Sequence, residues 1–365
     1  DSDMKRGTLV YLIGFLLLLA GCEEVYHPDL EEGEALLVVD ARVVAGAGGS
    51  QVRVYKTLGF NSWDQPFPAV TTAEVSLVDG HGGSLELEHT SGGNYRLTAP
   101  LSLFERYKLV VKAEGEVYES GFQEIPALPA IDSVYLVPGQ KLVETGTDEA
   151  AGNLRTEEGA QLYIDISARN GENCYRFTSR KVCQYAWVIE STGPFPPITN
   201  YAWMSMKPWE LFNIAGPAEY SSSEEIRRHP LVFLERSYSI SMPDHPVYFL
   251  GWIYICHQYA ISRESYLFYK ELNSQLSAEG KLFDPLYTQV RGNLRCTSDP
   301  GKVVLGNFEI ARVREHRFFV IYQGKEQYFM KRIPWFYEIP AEGSLADEIP
   351  VWWEVPVRNY PGSGG

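Results

Sequence analysis

The chain has 365 residues, with 32 Lys and Arg against 47 Asp and Glu, for a formal net charge of -15. A surface of that sign repels a phosphate lattice, which excludes a nucleic-acid binder by bulk electrostatics. Hydrophobic content of 45% with 22% charged residues belongs to a folded protein, and a length well above roughly 150 residues suggests two domains.

Read from Met4, the start is Lys5-Arg6, then an apolar run over residues 8–20, then Leu19-Ala20-Gly21-Cys22. A short basic segment, an apolar stretch and a small-residue cleavage site make residues 1–21 a secretory signal, too short to span a bilayer. Asp1 to Asp3 then read as an over-extended start. The tripeptide before Cys22 matches the bacterial lipobox, in which the new N-terminal cysteine carries a diacylglyceryl group. At about 0.8 kcal/mol per buried methylene, two or more acyl chains hold a protein to lipid, so outer-membrane lipid is the first expected partner, through acylated Cys22. Residues 22–34 carry Glu23, Glu24, Asp29, Glu31, Glu32 and Glu34 and read as a solvated acidic tether. Acidic residues directly after the lipidated cysteine also resemble the signal that exports lipoproteins to the cell surface in Bacteroidota.

Residues 35–125 read as an immunoglobulin-like or transthyretin-like β-sandwich. Leu37-Val38-Val39 opens a strand, Gln51-Val52-Arg53-Val54-Tyr55 alternates polar and apolar, and Asp79-Gly80-His81-Gly82-Gly83 is a hairpin turn between alternating runs. Further turns fall at Ser91-Gly92-Gly93-Asn94 and Glu114-Gly115-Glu116, giving six or seven short strands. Ile125-Pro126-Ala127-Leu128-Pro129-Ala130 is a stiff linker, because each proline fixes its own backbone and extends its predecessor.

A second, sandwich-like β domain is expected over residues 131–340, with an exposed acidic loop over 144–159 and strands over 161–168 and 175–189. Prolines at 194, 196, 197, 208, 217 and 230 break the alternation, so about 191–246 reads as a long irregular insertion. Residues 247–258 are an apolar strand. One helix follows over about 262–279, with Ser262 as its cap, Glu264 in its first turn, a stripe of Tyr266, Tyr269, Leu272 and Leu276, and Gly280 as its stop. Strands over 303–314 and 316–322 precede an aromatic stretch with Trp335, Phe336, Trp352 and Trp353, and 341–365 is a tail.

Ile261-Ser262-Arg263-Glu264-Ser265-Tyr266, Leu282-Phe283-Asp284-Pro285, Gly292-Asn293-Leu294 and Val304-Leu305-Gly306-Asn307-Phe308 stand in an order and spacing that resemble the Bacteroidota outer-membrane lipoprotein family of domain of unknown function 4249. The lipobox, the early Leu36-Leu37-Val38-Val39-Asp40-Ala41-Arg42-Val43 strand and the Gly92-Gly93-Asn94-Tyr95 turn are similar to that family's first domain, so the likeness covers nearly the whole mature chain. Two departures stand out: Asn307 where the family commonly has Tyr, and no cysteine-bearing C-terminal segment. The resemblance implies an outer-membrane lipoprotein, often encoded beside TonB-dependent transporters, without established enzymatic activity; it supplies no catalytic residues.

The residues themselves show no GxSxG elbow, HExxH helix, P-loop or GxGxxG, so no catalytic residue, cofactor or metal is assigned and no enzyme is expected. Cys174, Cys183, Cys256 and Cys296 are disulfide candidates with three connectivities open, and free buried thiols are the alternative. His229 and His245 bracket the insertion beside Glu224, Glu225 and Asp244, without the i, i+4 pairing of a metal site. Asp132-Ser133-Val134 resembles a short O-glycosylation signal, though Ser133 equally starts a strand. Phe195, Tyr201, Trp203, Trp209, Phe212 and Tyr220 crowd into the insertion, either as a contact surface or as a private core. The expected function is a non-enzymatic accessory or binding subunit of an outer-membrane β-barrel complex, such as a TonB-dependent transporter or the barrel-assembly machinery. The alternative is a free-standing surface lipoprotein that captures a glycan or peptide through its aromatics.

Overall fold

The computed structural model describes residues 35–46, 50–59, 65–144, 154–167, 173–189, 193–195, 197–206, 212–217, 225–238, 247–277, 290–334, 339 and 345–346. The signal, Cys22, the acidic tether, Trp335, Phe336, Trp352 and Trp353 lie outside them. Contacts divide the chain into a unit of Asp1–Ala35 and Leu58–Pro66, of which few residues are described, and a unit of Leu36–Thr57 and Phe67–Gly365, which holds every element named below.

Nine short strands precede the proline linker: β1 (Leu37–Ala45), β2 (Gln51–Lys56), β3 (Glu74–Asp79), β4 (Ser84–Glu86), β5 (Glu88–Ser91), β6 (Asn94–Arg96), β7 (Arg106–Ala113), β8 (Glu116–Ser120) and β9 (Gln123–Glu124). After it come β10 (Ser133–Glu144), β11 (Leu154–Ser167), β12 (Tyr175–Ile189), β13 (Ile198–Met206), β14 (Asn213–Ala215), β15 (Glu225–Glu235) and β16 (Val247–Ala260), most of them longer. The chain then forms helix α1 (Arg263–Leu276), β17 (Leu294–Cys296), β18 (Val304–Gly324), β19 (Gln327–Arg332) and β20 (Leu345–Ala346). The protein is mainly β, with sandwich cores.

An eleven-stranded sheet has the order β20-β13-β12-β16-β18-β1-β2-β6-β5, with β14 on β12 and β19 on β18. Its joint is the parallel pairing of β1 with β18, from Leu37 opposite Val304 to Ala45 opposite Arg312. A six-stranded sheet (β17-β8-β7-β3-β4, with β9 on β7) and a three-stranded sheet (β10-β11-β15) complete the fold.

Side chains alternate between the faces of a strand, so the even positions of β18 share one face along its whole length. Phe308 and Ile310 near its start enter a core with Val39, Ala41 and Val43 of β1 and Leu109 and Val111 of β7. Phe318 and Val320 farther on enter a second core with Trp252, Tyr254 and Cys256 of β16 and Leu162, Ile164 and Leu234 of the three-stranded sheet. Two sandwiches thus share one continuous strand. The first draws Leu294, Cys296, Val304, Phe308 and Ile310 from beyond residue 290, and the linker gives Ile125 to the first core and Leu128 to the second, followed by Ile131.

The stretch expected as an irregular insertion holds β13, β14 and β15, and β13 pairs β12 over nine residues from Lys181–Met206 to Ile189–Ile198. Its prolines hid this. Pro230 sits inside β15, an edge strand whose register shifts beside it, where a missing N–H is tolerated. β18 is one strand where two were expected, and β11 starts at Leu154, inside the expected acidic loop. Helix α1 is capped by Ser262, whose side chain accepts from the Ser265 N–H. Tyr266 and Tyr269 pack on the outer face of the large sheet with Ala311, whereas Leu276 is 46% exposed and leaves the stripe.

Candidate functional site

The four cysteines are free and buried, which corrects the disulfide expectation. Cys183 stands opposite Trp252, and Cys256 lies four residues along the same strand from that point. Four residues span about 13 Å, well beyond the roughly 7 Å over which two Cα atoms can be bridged. Burial pushes the thiols of Cys183 and Cys256 up to about 12.

The aromatic surface chosen from the sequence is not formed by its described members. Trp203 is 2% exposed and donates its indole N–H to Gln184 Oε1 at 2.9 Å. Tyr201 packs half-buried against the same outer cluster, and Phe212 lies against Tyr269 with ring centroids 4.7 Å apart. Both faces of β13 are covered at this point, where the adjacent Ala202 and Trp203 are both buried. Phe195 is exposed, while Trp209 and Tyr220 lie outside the described residues.

Histidines are likewise dispersed. His229 is buried against Asn213 Oδ1 at 2.6 Å, and burial lowers its pKa to about 4. His245 lies outside the described residues. Among those described, no group of three or more His, Cys, Asp or Glu could hold a metal ion. His257 is half-exposed and pairs with Glu315 at 3.0 Å. The Ser133 hydroxyl donates to Asp165 Oδ2 at 2.6 Å as β10 begins.

Of the quoted motif residues, several described ones converge at the first turn of α1, while Leu282 to Pro285 lie outside the described residues. Glu264 Oε2 accepts from Asn293 Nδ2 at 3.4 Å and from Gln123 Nε2 at 3.3 Å. Asn293 closes a two-way bond with the Phe308 backbone, donating to its C=O and accepting its N–H, each at 2.7 Å. Asn307 Nδ2 donates to Ser265 Oγ at 3.2 Å. Gly306 is at φ +103°, and a Cβ there would lie 2.0 Å from the Val39 carbonyl oxygen. Gly292 packs just as closely on the Gly306 backbone. These residue types are needed because three backbones and a helix cap meet where no side chain fits.

Beside this junction, on the face under α1, Arg176 and Glu309 form a buried bidentate pair at 2.6 and 3.1 Å, their side chains 6% and 1% exposed. The guanidinium lies 4.2 Å from the Tyr259 ring centroid and 5.5 Å from that of Tyr269. Burial works against its charge, but the Glu309 carboxylate more than compensates and leaves the pKa raised. This arrangement clamps β12, β18 and α1 together.

A concave site among the described residues lies elsewhere. At the mouth of the second sandwich, a groove of about 180 Å³ lies between the β10–β11 arm and the β18–β19 hairpin. Its walls carry Gln140, Glu158 and Arg236 on one side and Tyr322, Tyr328 and Glu326 on the other. Sequence reasoning missed it, since its residues come from four segments and none belongs to a motif; the two tyrosines facing each other across a tight hairpin were the available signal.

The arrangement defines a mainly-β protein in which two sandwiches share one sheet, one closed by its motif residues and one open at a polar mouth. The model of the family Domain of unknown function (DUF4249) matches residues 23–317, and the chain belongs to that family. No curated protein and no solved structure matches it.

Proposed function

We propose that the protein is a lipid-anchored, non-enzymatic lipoprotein of the Bacteroidota outer membrane, facing the cell surface, and that it serves as an accessory or binding subunit of an outer-membrane β-barrel complex such as a TonB-dependent transporter or the barrel-assembly machinery. The observation that carries this reading is Leu19-Ala20-Gly21-Cys22 after a basic and apolar leader, followed at once by Glu23 and Glu24. Lipid at Cys22 holds the chain at a bilayer, where its work is to meet a neighbour. Among the described residues no helix is long and apolar enough to cross a membrane. The motif residues around Glu264, Asn293 and Gly306 are engaged in joining α1, β1 and β18, a use that suits a rigid scaffold. Residues 201–206 contribute core side chains, so the contact with a barrel falls to other surfaces.

The test is affinity purification of the tagged full chain from native cells after brief chemical cross-linking and extraction in a gentle detergent, read by mass spectrometry. One outer-membrane barrel protein in near-equal amount is expected. Recovery of the chain without any barrel protein contradicts the reading. Protease shaving of intact cells tests the face, with digestion expected.

A further inference from the structure

We propose that the mouth of the second sandwich is a binding site for one ring of a neutral saccharide chain. The inference does not depend on a barrel partner. Position along the strands decides which side chains enter the groove. Phe318 and Val320 point into the second core, so Tyr322 follows on the same face, and Tyr328 pairs directly opposite it across the hairpin. Leu136 packs on that core opposite Leu162, and two steps farther along each strand from Pro138 and Ala160 stand Gln140 and Glu158, paired with each other. Arg236 is fixed to the same edge: its N–H donates to the Glu158 carbonyl at 2.8 Å and its guanidinium pairs with the Glu158 carboxylate.

The slot therefore has two unlike walls. One is a pair of phenol rings with centroids 5.3 Å apart. The other is the Gln140 amide and the Glu158 carboxylate, and the Arg236 guanidinium bridges from Glu158 to the Tyr322 ring. A pyranose has the matching character, an apolar C–H face and a rim of hydroxyls that both donate and accept, and aromatic stacking with flanking hydrogen bonds is how such a ring is held. The wall is also set before any ligand arrives. Arg236 lies 5.2 Å from the Tyr322 ring centroid and is tied to Glu158, so little side-chain freedom is lost on binding. Arg236 offsets one of the two carboxylates, Glu158 and Glu326, which leaves the slot slightly negative and favours a neutral sugar over an acidic one.

Size limits the occupant. About 180 Å³ is below the roughly 300–1,000 Å³ of pockets that enclose a whole ligand, so the slot takes one unit of a longer chain. An extended peptide is the competing occupant of sandwich surfaces, but it binds along a free strand edge through backbone hydrogen bonds. β10 is an edge strand beside this groove, but there it carries Pro138, which has no N–H to offer a peptide backbone.

The experiment uses the full-length protein in a detergent without a sugar headgroup, with cellohexaose, maltohexaose, xylohexaose and mannohexaose as probes and saturation-transfer difference spectroscopy as the readout. Saturable binding of at least one hexasaccharide is expected. Tyr322→Ala should weaken it tenfold or more, and Tyr322→Phe, which keeps the ring, should hold it within about threefold of the parent. Gln140→Trp fills the slot from an exposed position and should abolish binding while the unfolding temperature is unchanged. No saturable binding of any of the four overturns the proposal, as does binding indifferent to both Tyr322→Ala and Gln140→Trp. Saturable capture of a Gly-Ser-Thr hexapeptide at the same residues in place of all four sugars also overturns it. Loss of sugar binding with a barrel partner still recovered would strike this inference and leave the partner reading intact.

Discussion

The two sandwiches that share β18 differ in what they enclose. The first is filled by Val, Leu, Ile and Tyr side chains from both sheets. The second admits His229, Gln258 and His316 to its interior, with the Lys181–Glu235 pair at 2.8 Å near its edge, and ends in the open polar slot. Buried polar groups of this kind are costly unless paired: His316 bonds Gln258 Oε1 at 3.1 Å and His229 bonds Asn213, while Gln258 Nε2 is buried without a partner. A closed apolar base beside a polar, open neighbour separates the task of holding shape from the task of meeting a ligand.

The sharpest way to break that comparison is at the joint. Gly306→Ala places a Cβ at 2.0 Å from the Val39 carbonyl oxygen and forces an unfavourable φ, where β1 pairs β18. Because one strand serves both cores, both should be lost together, at a cost above about 4 kcal/mol in urea unfolding. Separate transitions, with one core surviving, would show that the sandwiches are independent.

The clamp under α1 comes next. Arg176→Ala leaves Glu309 buried and unpaired, and should destabilise by about 3–5 kcal/mol. The double variant Arg176→Met with Glu309→Leu should recover most of that loss. Equal stability of the single and double variants in denaturant titration would show that the charge pairing is not what the clamp supplies.

Between pH 6.5 and 4, acid should act through the second core. Burial holds His229 and His316 neutral, lowering each to about 4 against the ordinary 6.5, so between these values the unfolded chain binds more protons. Stability is therefore complete above pH 6.5 and falls as pH drops toward 4, by roughly 3 kcal/mol per imidazole. Unfolding midpoints across that range should decline less steeply in a variant with both histidines replaced by Gln. An identical decline assigns the acid sensitivity elsewhere.

The smallest effect concerns reactivity. With thiol pKa values raised to about 12, Cys183 and Cys256 should resist iodoacetamide in the native state and react only as fast as the protein unfolds. Rapid native labelling followed by mass spectrometry would contradict their burial.

Much of the local structure was legible because its signals are short-range. Asp79 and Gly83 close the β3–β4 hairpin as their spacing implies, Asp79 Oδ1 accepting from the N–H groups of His81 and Gly83 at 2.8 Å each. Ser262 caps α1 as read. What escaped was long-range or masked by prolines. Nothing near residue 40 announces that residues 304–312 will lie beside it in parallel, and that pairing decides how the first core is closed. Trp203 looked like an exposed anchor because the prolines around it suggested a loop; the segment is a strand, and the Trp203 ring packs with Val182, Ile253, Phe319 and Ile333 on the outer face of the sheet. The slot at the second mouth was illegible because Gln140, Glu158, Arg236 and Tyr322 become neighbours only through the stacking of two sheets.

The membrane reading rests on Cys22, and one measurement addresses it directly: detergent phase partitioning of the protein from its native cells, followed by intact mass. The account predicts recovery in the detergent phase as a chain beginning at position 22 and heavier by a diacylglyceryl group. A native chain in the aqueous phase with a plain thiol at that position would contradict it.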